Sequence, residues 1–105
     1  MIIPKDYDEL TALIDSKDKC VLFFTADWCP DCQFIYPALD EIEAQNPSMT
    51  FVRVDRDDFM DLAQKCNIFG IPSFLVLEKG QERGRLVNKL RKTKAEINQF
   101  LADYK

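Results

Sequence analysis

Apolar residues recur every three or four positions in four segments of the chain, which is the spacing of one face of an α-helix. The first segment follows Asp6 and the last follows Thr93, and each of these residues has a glutamate three positions later, a pattern that caps a helix start. The second segment covers residues 29–45 and contains Pro37, which we expect to kink it. The third segment begins near Asp58.

The remaining apolar segments are typical of β-strands. Residues 20–25 are apolar without alternation, which predicts a strand buried on both faces. Residues 50–55 alternate, residues 73–77 and 84–87 flank a turn that contains a glycine, and residues 2–3 predict a short edge strand. The order β-α-β-α-β-α-β-β-α predicts an α/β fold, with a central mixed β-sheet flanked by helices on both faces.

Length and composition narrow the class of protein. The chain has 105 residues, and we expect residues 1–105 to form a single domain. The net charge of −4 argues against nucleic-acid binding, and no apolar run approaches the roughly 20 residues that span a bilayer. The first residues lack the pattern of a secretory signal. We therefore expect a cytoplasmic monomer that binds neither nucleic acid nor membranes.

The cysteines carry the candidate chemistry. Cys29 and Cys32 lie where a predicted strand ends and a helix begins, and the unpaired N–H groups of a helix start stabilise a thiolate. A pair at this spacing can alternate between dithiol and disulfide. The chain has no histidine, so a zinc site would need Cys20 and Cys66 as well, and the predicted elements keep these apart. We expect no metal and no cofactor beyond a redox-active disulfide, with Cys20 and Cys66 as buried apolar residues or, alternatively, a regulatory oxidation site.

Two motifs make the chain resemble the thioredoxin family: Trp28-Cys29-Pro30-Asp31-Cys32, and Gly70-Ile71-Pro72-Ser73-Phe74 about 40 residues later. The resemblance implies the thioredoxin fold, with Cys29 as the attacking and Cys32 as the second catalytic cysteine. It also implies a cis bond before Pro72, beside the disulfide. The substrate-binding residues that it implies are Trp28, Pro30, Asp31, Ile71, Pro72 and Asn88.

Three departures from the family pattern bear on activity. The Cys-Pro-Asp-Cys site resembles that of small thioredoxin-related proteins, which reduce a narrower set of disulfides. Phe23 takes the place of a buried aspartate, Arg53 that of its partner lysine, and Asn88 that of a glycine. Because like charges repel, we expect Asp31→Asn to favour the Cys29 thiolate. A second hypothesis is that Asp31 discourages acidic substrates.

The leading hypothesis is a reductase of protein or low-molecular-weight disulfides. Its electrons would come from a thioredoxin-reductase-like flavoprotein or from a small thiol. The alternatives are a non-catalytic thioredoxin-like binding module and a disulfide oxidase or isomerase. We expect Tyr36 to be an exposed helix residue. A run of basic residues is predicted simply to precede the last helix, or alternatively to dock an acidic reductase: Lys89, Arg91, Lys92 and Lys94.

Overall fold

The computed structural model describes residues 1–105 and contains four helices and four strands. In chain order these are α1 (Tyr7–Ser16), β1 (Lys19–Thr25), α2 (Pro30–Gln45), β2 (Thr50–Asp55), α3 (Met60–Lys65), β3 (Ser73–Glu78), β4 (Gln81–Leu86) and α4 (Lys94–Ala102).

The four strands form one mixed sheet in the order β2-β1-β3-β4. β1 and β2 are parallel, because α2 carries the chain back across the sheet between them. β3 pairs antiparallel with β1 and with β4. In this register Phe23 of β1 lies opposite Arg53 of β2 on one side and Phe74 of β3 on the other. The predicted mixed sheet is confirmed.

Successive residues of β1 enter two separate cores, because side chains alternate between the faces of a sheet. Leu22 belongs to the core that includes Leu10 of α1 and Ala63 of α3. Phe23 belongs to the opposite core, with Ile35 of α2 and Ile97 of α4. The sheet is therefore covered by helices on both faces, as predicted, and the apolar run 20–25 has no polar side to expose.

Side-chain caps fix the starts of the first and last helices. Asp6 Oδ1 accepts a hydrogen bond from the Glu9 N–H at 2.9 Å, and Thr93 Oγ1 accepts one from the Glu96 N–H at 3.1 Å. Both caps confirm the sequence prediction. Each satisfies an N–H group that would otherwise lack a partner in the first helical turn.

Two predicted boundaries were wrong. Residues 2–3 form no strand, since only an isolated bridge from Ile2 to Val52 is present. Strand β4 begins at Gln81 rather than Gly84, because the reversal is confined to Lys79 and Gly80, with φ values of 52° and 81°. Such a tight turn lets pairing start at once. None of the helices combines the length and apolar character needed to cross a membrane.

Candidate active site

The two motif cysteines meet at the start of α2. They are joined in a disulfide, with their Cα atoms 5.2 Å apart. Cys29 is the N-cap of the helix and Pro30 its first residue, a position where the missing proline N–H is not needed. The N–H group of Cys32 donates to Cys29 Sγ at 3.1 Å. The sulfur of Cys29 thus occupies the place of an N-cap acceptor, where the helix favours negative charge.

The two cysteine residues are both buried. Cys32 is fully buried, whereas 4% of Cys29 remains exposed. Both belong to the core cluster that contains Leu22 and Phe24 of β1. Both cysteines are therefore buried in the oxidised protein, and the small exposed fraction belongs to Cys29.

The loop before β3 brings the second motif beside the disulfide. The Ile71–Pro72 peptide bond is cis, as the resemblance implied. The carbonyl oxygen of Ile71 lies 3.8 Å from Cys29 Sγ. Ser73, the next residue, donates from its hydroxyl to the carbonyl of Gly70, which closes the loop on itself. This geometry leaves the backbone of Ile71 next to the reactive sulfur.

Trp28 stands on the exposed side of the pair, with 58% of its surface in contact with solvent. Its indole N–H donates to Asp57 Oδ2 at 2.8 Å, and the guanidinium of Arg56 lies 5.4 Å from the ring centre. These two contacts hold an exposed aromatic side chain in one place. Neither partner could be predicted from the sequence, because the charged residues after β2 have no feature that distinguishes them from a solvated strand end.

Asn88 lies next to the cis-proline loop. A Cβ atom placed on Gly70 would overlap the carbonyl of Asn88 and come within 2.9 Å of Lys89 Cα, so only glycine fits at this crossing. The side-chain oxygen of Asn88 accepts from the N–H of Leu90 at 2.9 Å and from Lys92 Nζ at 2.8 Å. The asparagine therefore organises its own loop as well as bordering the site.

Lys92, one of the basic residues before the last helix, is fully buried, with 0% of its surface exposed. Its ammonium group donates to Asn88 Oδ1, to the Leu90 carbonyl at 2.7 Å and to the Asn88 carbonyl at 3.3 Å. Burial lowers the pKa of Lys92 from its ordinary value, and the nearby charges of Glu96 and Asp31 oppose that shift.

The carboxylate of Asp31 does not stand alone. Arg91 Nε donates to Asp31 Oδ1 at 2.9 Å, and the guanidinium carbon lies 4.4 Å from the centre of the Phe34 ring. From the sequence we expected Asp31 to act as an uncompensated charge beside the cysteines. Its partner is 60 residues away in the chain, and no local pattern indicates the pairing.

An aromatic side chain and a hydroxyl network lie at and beside position 23, where the family pattern has a buried aspartate and this chain departs from it. Phe23 stacks on Phe74 with ring centres 4.9 Å apart. The hydroxyl of Tyr36 bonds to Thr25 Oγ1 at 2.6 Å and accepts from Arg53 Nη2 at 2.9 Å. Tyr36 is half-buried, so the expectation that it is exposed was wrong.

The other two cysteines are free thiols outside the redox motif. Cys20 is buried, as predicted, whereas Cys66 is only half-buried at the end of α3, so the prediction that Cys66 is buried was wrong. Burial raises the pKa of both thiols. No group of three or more histidine, cysteine, aspartate or glutamate side chains is arranged to hold a metal ion.

Comparisons with known proteins agree with this geometry. The thioredoxin family matches residues 2–103. The mitochondrial thioredoxin-2 of Schizosaccharomyces pombe is 32% identical over 100 residues, which are 95% of this chain and 73% of that protein. An H-type thioredoxin of Fagopyrum esculentum is 40% identical over 73 residues, which are 70% of this chain and 63% of that protein. A thioredoxin structure from Plasmodium falciparum superposes with a TM-score of 0.89 at 25% identity and covers 100% of both chains. The chain therefore belongs to the thioredoxin family and is a thiol–disulfide oxidoreductase, a protein-disulfide reductase.

Proposed function

We propose that Cys29 is the attacking cysteine and Cys32 the resolving one. The observation that supports these roles best is the position of Cys29 Sγ, which accepts the Cys32 N–H at a helix start and lies beside the cis-proline loop. The end of a helix stabilises a negative charge by roughly 0.3–1 kcal/mol. In the reduced protein this preference favours a thiolate at Cys29 over one at a fully solvated cysteine.

The proposed reaction is thiol–disulfide exchange in two displacements. The Cys29 thiolate attacks one sulfur of a substrate disulfide, forms a mixed disulfide and expels the other substrate sulfur, which takes up a proton. The Cys32 thiolate then attacks Cys29 Sγ and expels the remaining substrate thiol. Two electrons pass to the substrate, and the Cys29–Cys32 disulfide is the oxidised product.

We assign substrate binding to the surface around Cys29. An extended substrate segment would lie along the backbone of Ile71, held between Trp28 on one side and the Asn88 loop on the other. Exposed apolar side chains at Phe69 and Leu90 extend this surface. The full set proposed for substrate binding is Trp28, Pro30, Asp31, Ile71, Pro72 and Asn88.

The wider setting is proposed on the same basis. Residues 1–105 would act as one domain and as a monomer, in the cytoplasm, with a thioredoxin-reductase-like flavoprotein returning two electrons to the disulfide. Relatives include mitochondrial thioredoxins, so fractionation of cells that produce the tagged protein is the direct test of compartment. Coupling to NADPH oxidation through a purified reductase tests the donor, and sedimentation tests the monomer.

The test of the mechanism is reduction of insulin with dithiothreitol as the electron source. We expect wild-type protein to accelerate precipitation of the insulin chains, and Cys32→Ser to lose turnover while accumulating a mixed disulfide with insulin. Cys66→Ser is the matched control, because it removes a free, half-buried thiol outside the pair. A Cys32→Ser protein that still turns over, or a wild type that does not, would contradict the proposal.

A further inference from the structure

One charged residue inside the Cys-Pro-Asp-Cys motif is neutralised from a distant loop. Asp31 is the second residue of α2, between the two cysteines, where a carboxylate interacts well with the helix start but repels a thiolate at Cys29. Arg91, between β4 and α4, donates to that carboxylate at 2.9 Å. The pair has no net charge, so its effect on the sulfur differs from that of Asp31 alone.

The structure holds Arg91 over Asp31 through two further contacts. The guanidinium stacks on the ring of Phe34, one turn along α2 from Asp31. The neighbouring Lys92 is buried and ties the loop together through Asn88. An arginine on a mobile loop would lose side-chain entropy when it pairs with a carboxylate. Here the contacts with Phe34 and within the loop already restrict Arg91, so less entropy is lost on pairing.

Two further carboxylates near the motif also have partners. Asp27 is exposed and lies 3.7 Å from Arg53, and Asp57 accepts the indole N–H of Trp28 beneath Arg56. Lys92 is close enough to Asp31 for their charges to interact. Loss of Arg91 would therefore leave Asp31, the carboxylate inside the redox motif, without its hydrogen-bonded cation.

We propose that Arg91 is a positioning residue of the redox site: it neutralises Asp31 and thereby keeps Cys29 reactive as a thiolate. This inference rests on the proposed role of Cys29. It adds to the expectation from the sequence that the repulsion between Asp31 and a Cys29 thiolate is offset as long as Arg91 is paired with Asp31. Arg91→Gln, which retains Asp31 without its cation, should therefore lower the reactivity of Cys29.

The experiment measures the rate at which iodoacetamide labels Cys29 in the reduced protein near neutral pH, read from the peptide that contains Cys29 by mass spectrometry. We expect Arg91→Gln to slow labelling about two- to fivefold, the effect of one uncompensated charge near the surface. Arg91→Lys, which retains the charge, should stay within about twofold of wild type. Adding Asp31→Asn to Arg91→Gln should restore at least the wild-type rate, because it removes the unpaired carboxylate.

Arg83→Gln is the matched control. It removes one exposed arginine that is also paired with a carboxylate, that of Glu78, at the far end of β3 from the cis-proline. Wild-type labelling of Arg91→Gln, equal slowing by Arg91→Lys, or failure of Asp31→Asn to restore the rate would each overturn the proposal. Labelling needs no substrate disulfide, so a chain that failed to reduce insulin would still give a clear result here.

Discussion

Replacement of Lys92 by methionine should destabilise the protein although it removes a charge from the core. The buried ammonium donates three hydrogen bonds, and methionine would leave the carbonyls of Asn88 and Leu90 without that donor. Hydrogen bonds to charged groups contribute about 1.5–3 kcal/mol each. The lowered pKa of Lys92 shows that burial of the charge opposes this gain.

The lost hydrogen bonds and the removal of a buried charge act in opposite directions on the stability of Lys92→Met. We expect this variant to lower the free energy of unfolding by about 1–3 kcal/mol, the range for a broken buried polar network. For a domain of this size that corresponds to a fall of about 5–15 °C in Tm. Urea unfolding of the oxidised protein measures the change. Lys89→Met is the matched control, because Lys89 is exposed in the same loop. Equal stability of the two variants would refute the structural role of Lys92.

The pH dependence gives a second test of the same group. Because burial lowers the folded pKa of Lys92 below its ordinary value of 10.5, the unfolded chain binds this proton more tightly than the folded one. Stability from this group therefore increases as pH rises through the folded pKa towards 10.5. The difference in stability between wild type and Lys92→Met should be larger at about pH 9 than at about pH 7. If the stability difference between wild type and Lys92→Met became smaller as the pH rises, the folded protein would favour the ammonium over the neutral amine, contrary to this reasoning.

Three further changes test other contacts. Gly70→Ala should destabilise by about 1–3 kcal/mol in urea unfolding and slow insulin reduction, because its Cβ meets the backbone of Asn88, whereas Gly84→Ala meets a tyrosine ring that can move and should have less effect. Thr93→Ala should destabilise by about 1 kcal/mol through loss of the helix cap, with Thr93→Ser near wild type as its control. Tyr36→Phe should destabilise by about 0.5–1.5 kcal/mol on thermal unfolding, and no change would show that its hydroxyl network has no net effect.

Local patterns in the chain predicted most of the fold. The caps at Asp6 and Thr93 and the unbroken apolar run of β1 depend on residues close in sequence, and each appears where the pattern indicated. The bridge at Ile2 did not extend into a strand, because two apolar residues give too weak a signal to show how far pairing continues. Strand β4 begins early because the turn is confined to two residues, Lys79 and Gly80. The residue types of the turn are also compatible with a longer turn, so the sequence did not predict its length.

The candidate site could be predicted only where its residues lie in motifs. The cysteine pair and the cis Ile71–Pro72 bond were expected from the resemblance, and their contact follows from the strands that they flank. Residues of the loop between β4 and α4 gave no such signal. A run of four basic residues in six positions indicates solvent exposure. Yet one of them, Lys92, is buried and another, Arg91, pairs with Asp31.

The distribution of charge around the disulfide follows from these contacts. At Phe23 the chain has an aromatic ring stacked on Phe74, so no carboxylate at that position can accept a proton from the second cysteine. The carboxylate within the motif, Asp31, is instead on the surface and paired with Arg91. The electrostatic effect of a surface ion pair is weakened by salt and changed by an approaching charged partner, whereas that of a buried acid is screened much less. If Asp31 borders the substrate as proposed, the reactivity of Cys29 should therefore depend on the charge that a substrate brings to the Asp31–Arg91 pair.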